Sequence, residues 1–295
     1  MSESDTESQR PLHVTDTYSG KLFWLNPPSG KTLDSENLKN ELQEQTFQED
    51  ISDQFDQTDL VVPTVFQQDG QMVRTTTTED VQLVSFNDEN AITGRVVLDR
   101  AKKIAYRDNE ILVLDTAEVN FMIFKQGSFY YLSVLAPRGL ANTVIDILRA
   151  EFPELGSIIN STRLGPDAIS NIRDSLNAVL MDTIITDYDQ SEITQTRIQG
   201  ENYDETDLYD QIDRGGRVKS HMFQSDVLVP DQAKTIQIGR DGLVRIYSNS
   251  TLQTYLKLLK DHVIPEVHRD VSSSPSVSAW DEASDTTDHS IFQDT

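Results

Sequence analysis

The chain has 295 residues, 37% hydrophobic, with 49 acidic against 25 basic side chains and a net charge of −24. That apolar share suffices for a core in part of the chain, so the shortfall is expected in polar ends and an acidic surface. The absence of cysteine excludes disulfides, zinc ribbons and thiol chemistry. No apolar run nears the ~20 residues of a membrane span.

The N-terminal stretch MSESDTESQRPLHVTD has no apolar core of the signal-peptide kind, which predicts a cytoplasmic protein without a membrane partner. Residues 1–16 read as a disordered tail. The run SGKLFWL (19–25) predicts a strand. DSENLKNELQEQTF (34–47) predicts a helix, with Leu38 and Leu42 on one side and Asp34 or Ser35 as its cap. In 60–75, Asp69-Gly70 between two apolar stretches predicts a hairpin, and Pro63 suits an edge. Strands follow at 81–86, 95–106 and 111–114, and at 119–135 folded about Gly127. Helix 138–152 carries the stripe Leu140, Val144, Ile147, Leu148, Phe152 and stops at Pro153. A second helix is predicted over 166–185, with Pro166 in its first turn and Ile169, Ile172, Leu176, Val179 and Leu180 on one face. After an acidic connection (186–213) a second set of strands and a helix follow. Residues 271–295, rich in Ser, Asp and Thr, read as a disordered tail.

The second set of strands parallels the first. Residues 111–133 align without gaps on 226–248, so that Phe121 and Ile123 fall on Ile236 and Ile238, and Gly127 on Gly242. Downstream, Leu140, Val144 and Ile147 match Leu252, Leu256 and Leu259, and Pro153-Glu154 matches Pro265-Glu266. The expected fold is therefore α+β: two related units, each an antiparallel strand meander plus a helix, in a pseudo-two-fold duplication. Their expected extents are 17–155 and 156–270, between disordered acidic termini.

Chemistry is sparse. NPPSGKT (26–32) precedes a helix in P-loop fashion. However, Leu25 stands where that pattern needs its first glycine, and Pro27 and Pro28 lack amide protons. A P-loop-like nucleotide-binding enzyme is the remote reading. His262 and His268 lie on different helical faces and do not make a metal pair. Asp187, Asp189 and Ser191 open like a calcium loop, but Glu192 and Ile198 stand where Gly and Glu are required. No catalytic residue, metal or cofactor is expected.

Two basic clusters interrupt the acidic background: Arg95, Arg100, Lys102, Lys103 and Arg107, and, in the second set, Arg217 and Lys219, with Lys102 aligned on Arg217. Such clusters could meet the phosphates of a nucleic acid. In the acidic tail, Trp280 and Phe292 could dock into a protein partner. Only 10 of the 25 bases are lysine. An acidic, lysine-poor composition resembles that of halophilic proteins, for which molar salt screens self-repulsion. Together these features predict a non-enzymatic binding or regulatory module that contacts another protein or its own copy. Nucleic-acid binding through the basic strands is the alternative.

Overall fold

A computed structural model describes residues 18–51, 67–68, 71–86, 89–106, 109–186, 195–200, 217–247, 250–267 and 292–294. The chain divides into two compact units. The first joins Gly20–Thr162 with Val277–Thr295, and the second joins Met1–Ser19 with Arg163–Ser276.

The first unit is built on an antiparallel sheet. Its elements are β1 (Tyr18–Leu25), β2 (Lys31–Leu33), α1 (Ser35–Leu42), β3 (Thr46–Asp50), β4 (Gln67–Gln68), β5 (Gln71–Phe86), β6 (Glu89–Tyr106), β7 (Asn109–Gln126), β8 (Phe129–Leu135), α2 (Arg138–Glu151), α3 (Pro153–Ile158) and β9 (Ile159–Ser161). The order across the sheet is β1-β8-β7-β6-β5-β3, with β9 against β1 and β4 against β5. Alternation decides which side chains enter the core. On β6, Ile92, Gly94, Val96 and Leu98 stand opposite Ile123, Phe121, Val119 and Ala117 of β7. These positions share one core with Leu38 and Leu42 of α1 and Ala141, Val144, Ile145 and Leu148 of α2. Gly94 is required there: a Cβ would lie 2.6 Å from Phe121 Cζ. Each fully buried side chain of this size contributes roughly 1.5–3 kcal/mol.

The helix predicted over 34–47 ends at Leu42, and Thr46–Asp50 is strand β3 instead. Glu44 adopts a left-handed φ of 54° that no helix continues through. The amide of Gln45 then donates to Thr78 Oγ1 (3.0 Å) and that of Thr78 to Gln45 O (2.9 Å), which leads the chain into pairing with β5. Pro153 does not stop the chain in a loop; it opens α3, where its missing amide proton costs nothing.

The second unit contains α4 (Pro166–Ser175), β10 (Val179–Thr186), β11 (Gln195–Gln199), β12 (Arg217–Ser225), β13 (Lys234–Gly239), β14 (Leu243–Ile246) and α5 (Leu252–Leu258). A π-turn over Leu259–Val263 extends α5. The strands form an antiparallel array in the order β11-β10-β12-β13-β14. Ile236, Ile238, Val244, Ile246, Phe223, Tyr255 and Leu258 are fully buried. The helix predicted to Ile185 stops at Ser175, because Asn177 takes φ 45° and the β-branched run VLMDTIIT prefers a strand. The last strand, β15 (Phe292–Asp294), belongs to the first unit and pairs with β2.

The expected duplication is not established. Gly127 and Gly242 do occupy positive-φ turns (61° and 80°) in the β7–β8 and β13–β14 hairpins, and each hairpin precedes a helix. But residues 111–114 lie inside the 18-residue strand β7, whereas their counterparts 226–229 form a bend.

Candidate functional site

The P-loop-like stretch has another local structure. Gly30 (φ 77°) turns the chain, the amide of Lys31 donates to Pro28 O (3.0 Å), and Lys31 and Thr32 enter strand β2. The helix start that would face a phosphate is already filled. Asp34 Oδ1 accepts from the amides of Glu36 (3.0 Å) and Asn37 (3.2 Å), so a carboxylate occupies the anion position.

The described histidines are held in structural hydrogen bonds. His221 Nδ1 lies 3.1 Å from Thr183 Oγ1 in the buried interior of the second unit. His262, on the π-turn, has Nδ1 2.9 Å from Ser175 Oγ, while that hydroxyl donates to Ile172 O at 2.8 Å. Ser175 Oγ is therefore the acceptor of an Nδ1–H bond, and its proton is not directed at a base. Among the described residues, no group of three or more His, Asp or Glu comes together to hold a metal. The calcium-like Asp187, Asp189, Ser191 and Glu192 lie outside the described residues, and Ile198 sits in β11.

The basic cluster of the first unit falls on β6. Arg95 is held by three carboxylates: Glu79 at 2.7 Å, Glu118 at 2.8 Å and Asp80 at 3.1 Å. Burial alone would lower the proton affinity of its guanidinium, and these carboxylates outweigh it and raise it. Arg100 pairs with Asp115 across the β6–β7 ladder. Lys102 and Lys103 stand opposite Val113 and Leu112 in register, and Arg107 lies outside the described residues. In the second unit, Arg217 opens β12 opposite Thr186, and the main-chain oxygen of Lys219 accepts from the amide of Arg240 at 2.9 Å. Trp280 lies outside the described residues, and Phe292 is placed in β15, opposite Leu33.

Sequence reasoning missed the full extent of the β6–β7 hairpin. The last row that β5 shares with β6 is Thr76↔Leu98, and the last that β8 shares with β7 is Leu135↔Asn120. Beyond Leu98, eight further pairs run from Asp99↔Thr116 to Tyr106↔Asn109, and among the described residues no third strand pairs with β6 or β7 along them. At ~3.4 Å per residue this ribbon extends about 27 Å. It carries four basic and four acidic residues over 99–116, and the unbroken apolar run Ile111–Leu114. Because successive strand positions alternate between faces, that run gives both faces of the ribbon apolar positions. The signal in the sequence was this run of four, which breaks the apolar–polar alternation of a half-exposed strand.

No protein-family model matches the chain, and no curated protein matches it in sequence.

Proposed function

We propose that the protein is a non-enzymatic binding module that acts through protein–protein contacts, with the ribbon 99–116 as its contact element. The observation that carries this reading is a two-stranded ribbon about 27 Å long with apolar positions on both faces. An isolated two-stranded hairpin is marginal in water, and a continuous apolar run suits a strand covered on both sides. A partner protein, or a second copy of this chain, would supply that cover.

Nucleic-acid binding is the second reading. It is favoured by the ribbon shape, which a DNA major groove admits, and by Lys102 and Lys103 on β6. Against it stand the equal number of acids on the ribbon and the pairing of Arg95 and Arg100 with carboxylates. The carboxylate surplus of the chain supports a salt-adapted, cytoplasmic setting for either contact, tested by a melting temperature that climbs with KCl. The likeness of the β7–β8–α2 and β13–β14–α5 segments supports reading the two units as diverged copies.

The test replaces residues 101–114 by Asn-Gly, a two-residue turn that can close the shortened hairpin. Photo-crosslinking residues are also placed at 112 and 113, which sit on opposite faces. The expected result is a fold that persists without the outer ribbon, and crosslinks to protein from both positions in the intact chain. A sedimentation profile unchanged by the excision, together with no crosslinks from 112 or 113 in the intact chain, would end the proposal. Crosslinks to DNA alone would favour the second reading.

A further inference from the structure

The short strand β2 lies apart from the ribbon and pairs with β15. The Gly30 turn precedes β2, and the Asp34 cap of α1 follows it. Leu33 is anchored in the first unit's core, only 7% exposed, while Lys31 at the other end of the strand is exposed. Among the described residues, the one strand paired with β2 is β15, which returns after the 24 residues 268–291. The register is antiparallel, with Phe292 opposite Leu33, Gln293 opposite Thr32 and Asp294 opposite Lys31. The positions thus match an aromatic residue to an apolar one, and an acid to a base, the kinds of cross-strand pair that stabilise a ladder.

We propose that β2 is a strand-addition site for an extended segment of a partner protein carrying an aromatic residue two positions before an acid. The chain's own Phe292–Asp294 occupies that site as a stand-in ligand. In strand addition the main-chain ladder gives affinity and the alternate side chains give selectivity. Three residues of ladder make a weak ligand, but a tethered tail meets its site at an effective concentration on the order of millimolar. The tail therefore screens out weak segments and yields to a longer or better-matched strand. Deleting it should expose the site.

The probe is a fluorescein-labelled peptide of residues 288–295, DHSIFQDT, titrated by anisotropy against the full chain and against a chain ending at residue 287. The expected result is binding to the shortened chain at least tenfold tighter than to the full chain. A Lys31→Glu variant of the shortened chain should lose the probe and regain binding with an Asp294→Lys peptide. That exchange separates recognition from a loss of folding. Equal binding to both chains, no binding to the shortened chain at millimolar probe, or no rescue in the charge exchange would overturn the proposal. Full-chain dimers that vanish when residues 288–295 are removed would assign the site to a second copy's tail, and so overturn the assignment to another protein. None of these readouts depends on the ribbon 99–116, so the two proposals can fail separately.

Discussion

The β6–β7 hairpin has two halves with the same backbone ladder and different surroundings. In the inner half, from Ile92↔Ile123 to Leu98↔Ala117, β6 is also paired with β5, and its core face lies beneath α1 and α2. In the outer half, from Asp99↔Thr116 to Tyr106↔Asn109, the ladder is two strands wide among the described residues. The difference teaches that hydrogen-bonded pairing by itself does not secure a sheet. The inner half is stabilised by a third strand and by apolar area removed from water; in the proposed function a partner gives the outer half its cover.

The largest test of that contrast is a cavity on the inner side. Phe121 is 2% exposed and packs over Gly94, so Phe121→Ala should cost about 3–5 kcal/mol in denaturant unfolding. At the outer position Ile111, the same truncation of an apolar side chain should cost under ~0.5 kcal/mol in the isolated chain. A loss at Ile111 as large as that at Phe121 would mean that the outer half is already covered in the free protein. Arg95 stands in the middle row of the inner half, opposite Asn120. Arg95→Gln leaves Glu79, Asp80 and Glu118 facing one another, and should destabilise by about 1 kcal/mol at low salt. Thermal melts in rising KCl should show that penalty shrinking as the carboxylates are screened. Amide exchange should protect residues 92–98 and 117–123 by the full unfolding free energy, and residues 99–106 and 109–116 by much less.

The smallest effect is expected from a control outside the hairpin. Burial lowers the proton affinity of His262, opposed by Asp261 and reinforced by Lys257. The folded chain thus favours the neutral ring, while the unfolded chain takes up a proton near pH 6.5. Stability should accordingly fall as the pH drops below about 6.5. His262→Gln should flatten that slope and leave exchange in the hairpin unchanged. A slope that survives the substitution would assign the pH dependence to other groups.

Much of this architecture is legible in the residues, and the exceptions have local causes. The residue pattern found β1, β8, residues 95–106 of β6 and residues 111–114 and 119–126 of β7, and the apolar stripe found α2, which buries one face against the core. Helix lengths failed at two places. Leu42 and Leu176 continue plausible helical stripes, yet Glu44 and Asn177 adopt left-handed conformations that spacing does not reveal. The basic residues on β6 were visible as a cluster, but their meaning was not. The carboxylates of Glu79, Asp80 and Glu118 reach Arg95 only through the register of neighbouring strands. Phe292 was read as a docking residue of a disordered tail, and its strand pairing with residues more than 250 positions earlier has no local signature.

The connection between β6 and β7 has a consequence in time. Tyr106 and Asn109 are three positions apart, as are Phe86 and Glu89 at the β5–β6 turn and Gln126 and Phe129 at the β7–β8 turn. Short loops carry the smallest closure entropy, and hairpins of this kind zip in about 1–10 μs. The inner rows gain β5 and β8 through connections just as short. Strands β5 to β8 thus have three turns of equal length, and their local contacts give the meander three places from which pairing can begin.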